Sequence, residues 1–352
     1  MRSAASRTGS ATAWVESLSP WPEEFGLDRM RRLLAELGDP QRDYRAIHVV
    51  GTKGKSTATR TIAAYLEREG LRTGAYTSPH VSGWSERIQV GGEAADFEHA
   101  VARVRDAAEA LGATQFEALT AAALLEFADA GVDVAVIEAG LGGRLDATNT
   151  VDAEIVLLTN VDLEHTEVLG ETREQIAEEK LAVAHAARVV VMSDNTYHAQ
   201  VPNVSEVLLG GPREAAEAFL GRALEGEVEI TLPGRYEQRG DEVWDGAHTP
   251  AAVERLLGWL PAHDHVLCVS ILADKDVDRV LELLARAGRT LIATTSSNSR
   301  ALPAGELAER AAPYFDRVEA VPDPHAALAR ARNLSPRVLV TGSLYVLADL
   351  YQ

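Results

Sequence analysis

The sharpest chemistry in the chain begins at Ile47-His48-Val49-Val50, which runs into Gly51-Thr52-Lys53-Gly54-Lys55-Ser56-Thr57 and then a helical stretch. A strand, a glycine-rich turn and a helix start form an anion site. Backbone N–H groups and the helix dipole converge on phosphate, and a lysine adds a point charge. A hydroxyl directly after that lysine is placed to ligate Mg²⁺. The usual spacing has a glycine five positions before Gly54; Val49 stands there, so this loop is a compressed variant.

Other reactive groups sit where strands should end. Tyr76-Thr77-Ser78-Pro79-His80 closes one apolar run, Glu138 closes Val132–Ile137, and Thr159-Asn160-Val161-Asp162 with His165 follows another. In a parallel sheet all carboxyl ends share one edge, which is where open α/β sheets place ligands. Ser78, Glu138 and His165 are therefore expected to meet at the phosphate loop. A hydroxyl and a carboxylate suit Mg²⁺, and an imidazole suits it least. A turn, a surface loop and a helix cap are the plainer readings of the three. Lys180 closes Thr172–Lys180 with Ile176 and Ala177 one turn back, so the favourable Glu-to-Lys pair is missing. In the second half, Asp245-Gly246-Ala247-His248-Thr249-Pro250 follows a short strand and opens a helix, with Pro250 suited to a first helical position. Asp274-Lys275-Asp276 reads as a solvated cluster, and Cys268 as a core residue.

The elements that must hold these groups alternate short β-branched runs with Ala- and Leu-rich helical stretches. Expected strands are Ala46–Val50, Thr73–Thr77, Val132–Ile137, Ile155–Asn160 and Val189–Met192. Helices are expected at Thr57–Glu69, Phe97–Leu111 and Glu117–Ala130. A second alternation follows: Glu242–Trp244, Val266–Ser270, Thr290–Thr294, Arg317–Val321 and Val338–Val340. Apolar strands separated by helices argue for parallel sheets covered on both faces. The 352 residues suit two domains, with a boundary near Leu232-Pro233-Gly234, where Pro-Gly breaks both periodicities.

Composition narrows the function. The chain is 46% hydrophobic and 25% charged, ordinary globular values. Its single cysteine excludes a disulfide scaffold. The net charge of −19 opposes nucleic-acid and anionic membrane partners, and no apolar run approaches membrane-spanning length. The Arg/Ser/Ala-rich start lacks an apolar segment and is expected to be an extension and not a targeting peptide, and a cytoplasmic protein is expected. Of 34 basic residues only four are lysines: Lys53, Lys55, Lys180 and Lys275. A chain that otherwise uses arginine retains lysine where an ammonium or a neutral amine is needed.

Taken together, the chain resembles the folylpolyglutamate synthase/dihydrofolate synthase family of the Mur ligase superfamily. The matching stretches are Ile47–Thr57, Tyr76–His80 with Glu86–Ile88, Phe116–Ala123, Glu138–Asn149, Thr159–Gly170, Glu178–Lys180, Pro233–Arg235, Asp245–Pro250, Ala273–Asp276 and Thr341–Tyr345. They fall in family order over most of the chain, with a gap at about 181–232. The resemblance implies an α/β fold. Residues 1–232 would form a P-loop-type parallel-sheet domain that binds ATP, of the Mur ligase central type, and 233–352 a Rossmann-like glutamate-ligase domain. It implies an ATP-dependent ligase: a substrate carboxylate attacks the γ-phosphate, and the amine of L-glutamate displaces phosphate from the acyl phosphate. Gly51, Thr52, Gly54, Lys55, Ser56, Thr57, Arg235 and Asp245 would hold ATP. Ser56, Ser78, Glu138, His165 and a carbamylated Lys180 would hold Mg²⁺, with two ions and a K⁺ expected. Phe116, Glu117, Asp146 and Asn149 would meet the folate or pteroate substrate, His248 would lie at the glutamate site, and Lys55, Lys180, Asp245 and His248 would serve catalysis in a monomer. Closure of the two domains would exclude water that hydrolyses the acyl phosphate.

Some positions depart from the family. Lys53 and Thr249 stand where many members have Asn, and the adenine-contacting His-Gln…Asn segment has no clear counterpart around Gly210–Leu220. Two other readings follow: a related ligase with a different carboxylate acceptor, or a nucleotide-binding regulator without turnover.

Overall fold

The computed structural model describes residues 10–22 and 24–352. The basic start of the chain, up to residue 9, lies outside them. Two compact units are seen: one of the residues up to His80 with Trp84–Ile230, the other of Val81–Gly83 with Thr231–Gln352. Val81 goes with the second unit because its side chain is buried in an apolar cluster with Trp244, Cys268 and Leu347.

The first unit is built on strands β1 (Arg45–Val50), β2 (Thr73–Tyr76), β3 (Ile88–Val90), β4 (Glu93–Ala94), β5 (Val134–Glu138), β6 (Ile155–Leu158), β7 (Val189–Met192) and β8 (Glu206–Leu209). Their order in the sheet is β4-β3-β2-β5-β1-β6-β7-β8. Six strands run parallel, and β3 and β4 add an antiparallel edge. That edge was not expected, because Ile88–Val90 and Glu93–Ala94 are too short to show a period. Alternate residues of β1 face opposite cores: Ala46 and Val50 one, Ile47 and Val49 the other. The register sets the site. Val49 pairs with Glu138, Tyr76 with Ile137 and Val50 with Leu158, so Gly51, Ser78, Glu138 and Thr159 leave the sheet at one level.

Helix Gln115–Ala130 begins two residues earlier than expected, because Thr114 and Glu117 form a reciprocal capping box. Helices Ala11–Ser17 and Asp28–Glu36 also cover the first sheet, and the sequence reading did not anticipate them. The segment after Lys180 supplies β7, β8 and helix Pro212–Leu220, which packs on helix Lys55–Arg68.

In the second unit, β9 (Glu237–Arg239), β10 (Glu242–Trp244), β11 (Val266–Val269), β12 (Thr290–Ala293), β13 (Arg317–Ala320) and β14 (Val338–Thr341) order as β13-β12-β11-β14-β10-β9. Only β9 is antiparallel. Cys268 is buried in β11, as expected, and burial pushes its thiol up to about 12.

Candidate active site

Helix Lys55–Arg68 begins at Gly54, which is left-handed, without a side-chain cap and without an acid in its first turn. Its leading N–H groups are therefore left for an anion. The loop before it is fixed from the β6 side. Asn160 accepts from the Lys53 N–H at 3.0 Å and donates to the Lys53 carbonyl at 2.9 Å, while the Thr159 hydroxyl donates to that carbonyl at 2.8 Å. Gly51 has φ 143°, and a Cβ there would sit 2.0 Å from Thr159 Oγ1, so only glycine fits. Lys53 stands 3.7 Å from Asp162, which Arg173 also holds at 2.9 Å.

Beside this loop Ser56 Oγ donates to Glu138 Oε1 at 3.1 Å, and the Ser78 N–H donates to Oε2 at 2.9 Å. Glu138 is buried. Two buried guanidinium groups lie around it, which the sequence reading did not single out. Arg60 donates to the Glu86 carbonyl at 2.5 Å, and Arg87 donates to His80 Nδ1 at 2.9 Å. Burial lowers Arg60 to about 10, and burial with the Arg87 charge lowers His80 to about 4. Arg60 sits one turn beyond Ser56 on the same helix, an i, i+4 spacing that was the available signal.

Lys180 is 2% exposed, near the end of helix Arg173–Leu181. Its ammonium donates to Glu164 Oε1 at 2.7 Å and to the Gly51 carbonyl at 3.1 Å, and Lys55 Nζ donates to the same carbonyl at 3.0 Å. Desolvation lowers the Lys180 pKa, Lys55 lowers it further, and Glu164 opposes both. The adjacent Glu178 and Glu179 turn instead to Arg144. Glu164, sixteen residues upstream, is the partner that helix periodicity has no means to show.

The remaining expected positions divide. His165 is left-handed at the start of a short helix, half exposed, with its ring 3.9 Å from Glu167; no contact to Ser78 or Glu138 is seen among the described residues. Phe116 lies where a Cβ on Gly140 would fall, 2.5 Å from its ring, which puts the ring just beyond the end of β5. Glu117 is buried, with its carboxylate engaged by the Thr114 N–H and by Arg29 at 2.8 Å. Asp146 is buried and accepts from the Leu141 and Thr148 N–H groups. Asn149 donates to the Arg144 carbonyl. Glu117, Asp146 and Asn149 thus have internal partners, and Phe116 is the one shaped as a wall. Thr52 binds the Asp162 N–H at 3.0 Å, and Thr57 is exposed in the first turn of its helix.

In the second unit Asp245 accepts from the Tyr236 and Ala247 N–H groups, both at 2.8 Å, while burial raises its pKa. Arg235 precedes Tyr236, which adopts φ 49°. His248 donates from Nδ1 to the Gly246 carbonyl at 2.8 Å, since a carbonyl only accepts. Thr249 caps helix Pro250–Trp259 through its hydroxyl, a role Asn would fill as well.

The donors at the first-unit edge are hydroxyl and carboxylate oxygens. No group of three or more His, Cys, Asp or Glu side chains closes around a metal among the described residues. That set fits Mg²⁺, which binds through one or two protein oxygens and keeps phosphate and water for the rest. Ser56 and Glu138 fit by position, with Ser78 beside them through its backbone; Lys180 does not ligate as an ammonium.

Residues 49–216 match the Mur ligase middle domain and 234–344 the Mur ligase glutamate ligase domain. The dihydrofolate synthase/folylpolyglutamate synthase of Mycobacterium tuberculosis is 31% identical, covering 89% of this chain and 84% of its own length. A probable bifunctional folylpolyglutamate synthase/dihydropteroate synthase of Haloferax volcanii is 32% identical over 92% of this chain, which spans 48% of that longer protein. A bifunctional folylpolyglutamate synthase/dihydrofolate synthase with Mn, AMPPNP and L-glutamate bound superposes with a TM-score of 0.81 at 26% identity, over 97% of both chains. With matching motifs laid along one sheet edge and similarity running nearly end to end, the chain belongs to the dihydrofolate synthase/folylpolyglutamate synthase family.

Proposed function

We propose that the protein is an ATP-dependent ligase that adds L-glutamate to a folate-type carboxylate, dihydropteroate or tetrahydrofolate or both. The observation that carries this reading is the Gly51 carbonyl shared by Lys55 and Lys180 beside the Ser56–Glu138–Ser78 cluster. A nucleotide-binding regulator has no need for a second lysine, buried behind the first, at its phosphate loop.

In this reading residues up to 232 bind ATP and 233–352 form the glutamate-ligase domain. Lys55 and the open N–H groups of its helix orient the triphosphate. The acceptor carboxylate attacks the γ-phosphorus and ADP leaves; the glutamate amine then attacks the acyl carbon, phosphate departs and the amine gives up a proton. Positioning and charge neutralisation are what the protein supplies to such transfers. Ser56, Ser78 and Glu138 would hold Mg²⁺, which screens the transferred charge. By the family resemblance Arg235 and Asp245 would serve the nucleotide and His248 the amino acid; within its own unit Asp245 fixes the Tyr236 backbone, and His248 has its tautomer fixed by the Gly246 carbonyl. Lys180 acts after releasing Glu164: its neutral amine bonds to CO₂ and loses a proton, so that a carbamate replaces the ammonium. A second Mg²⁺, a K⁺ and a cytoplasmic monomer complete the reading on family resemblance.

The test is ADP release with dihydropteroate plus glutamate against tetrahydrofolate plus glutamate. Stimulation by either pair is expected. ATP binding with no stimulation by either would end the folate assignment.

A further inference from the structure

His48 is the anomaly of β1. It has no exposed surface, stands in the apolar run Ile47–Val50 on the central strand of the sheet, and belongs to none of the groups described above. Its Nε2 lies 2.8 Å from Thr148 Oγ1, while its Nδ1, also buried, has no partner among the described residues. The Thr148 hydroxyl donates to Asp146 Oδ1. A hydroxyl has one proton, and that of Thr148 points at Asp146, so Thr148 accepts from His48 Nε2–H. An imidazolium would also need an acceptor for a buried Nδ1–H, and none is seen among the described residues, so the ring is neutral with its proton on Nε2. Burial and the charge of His185 agree, holding its pKa down to about 3.

The far end of this chain of bonds carries geometry. Asp146 Oδ1 also accepts from the Thr148 N–H at 3.0 Å, and Oδ2 accepts from the Leu141 N–H at 2.8 Å. One carboxylate thus ties the turn after β5, where Gly140 meets Phe116, to the turn Ala147–Thr150. Burial alone raises the Asp146 pKa, and the donated hydrogen bonds oppose it. Each donor therefore helps to keep the carboxylate ionised and in one orientation. An apolar residue of similar volume would fill the His48 site without leaving a buried nitrogen unbonded. Packing alone does not explain the histidine.

We propose that His48 is a positioning residue for the acceptor pocket: through Thr148 it fixes Asp146, which holds the Gly140–Leu141 turn and the Phe116 wall where the folate-type substrate lies. This rests on the proposed ligase function and on the family-based expectation that Phe116 and Asp146 lie at the folate-type acceptor. His48 acts on how the acceptor is held and leaves the phosphate loop unaltered.

The test uses the full chain with Thr148→Val and His48→Leu, which break the relay, and Thr148→Ser and His48→Gln, which keep a hydroxyl and an N–H donor in place. The first pair should raise the acceptor KM about tenfold, one hydrogen bond's worth, with the ATP and glutamate KM unchanged. Amide exchange at Leu141 should speed by a similar factor. The second pair should stay near the wild type. A ¹⁵N spectrum should show the neutral Nε2–H tautomer of His48. The proposal is overturned if Leu and Gln at position 48 behave alike, if all three KM values rise together, or if Leu141 exchange does not change. Should the wild type turn over no pteroate or folate at all, the ligase reading fails on its own, and exchange together with the tautomer decides the relay.

Discussion

The buried histidine makes a stability prediction independent of any ligand. In the unfolded chain His48 titrates near 6.5; in the folded protein it titrates near 3. Between those values the unfolded state binds the proton and the native state does not, so stability falls as pH drops through 6.5, by about 1.4 kcal/mol per unit once the unfolded ring is protonated. The loss continues down to the folded value. At pH 5 the native ring is still neutral, so the size depends almost wholly on the unfolded pKa and comes to about 2 kcal/mol relative to pH 7. For a unit of about 230 residues that is about 4–8 °C in Tm. Calorimetry at pH 7 and pH 5 on the wild type and His48→Leu isolates it, because His80, depressed to about 4, is present in both and cancels. The wild type should lose those extra degrees. Equal losses in the two proteins would refute the neutral, fully buried ring and the direction of bonding inferred from it.

The phosphate loop gives three further expectations. Lys55→Arg keeps the charge but is too bulky for the cradle around Gly51, and should weaken ATP at least about tenfold by titration calorimetry; unchanged affinity would mean the cradle is elsewhere. Gly51→Ala forces a side chain onto Thr159 Oγ1 at positive φ, and should lower first-unit stability by about 1–3 kcal/mol along with nucleotide affinity, read from Tm with and without ATP. Lys180→Met preserves the buried volume but removes the amine. It should cut turnover at least about a hundredfold, the scale of a lost transition-state charge contact, with bicarbonate giving no rescue. Full activity in that variant would rule out the carbamate.

Much of the site was legible because it lies at strand ends. Short β-branched runs announce parallel strands, and parallel strands put Gly51, Ser78 and Glu138 at one level without any knowledge of side chains. Glu93–Ala94 and Glu206–Leu209 were not legible: they are edge strands, set by pairing and not by their own period. His165 was expected with Ser78 and Glu138 from its place after β6, but it lies beyond Asp162 at the start of its own short helix, half exposed, and the sequence does not give that direction. Glu117 was expected at the substrate from the family resemblance; its carboxylate completes a capping box three residues from Thr114, a spacing visible in the sequence. Tertiary partners such as Glu164 for Lys180, or Thr148 for His48, join distant segments, and no local pattern encodes them.

The four lysines connect composition with mechanism. Lys275 is a surface residue paired with Asp274 at 2.8 Å, a position arginine would fill as well. The other three lie at the phosphate loop: Lys53 within it, and Lys55 and Lys180 on one backbone carbonyl. Guanidinium would not serve at Lys180. It stays protonated in proteins and so offers no neutral amine. Desolvation and the nearby Lys55 lower the pKa of the ammonium there, while Glu164 and Asp146 raise it. Removing a raising charge moves it further down. Glu164→Gln should therefore lower the Lys180 pKa further, leaving more neutral amine near neutral pH. Labelling with a radioactive bicarbonate and a carbamate trap, compared with Lys180→Met as the blank, reads this directly. Greater label in Glu164→Gln is the expected outcome; label equal to the blank would show that the pocket keeps its lysine for charge alone.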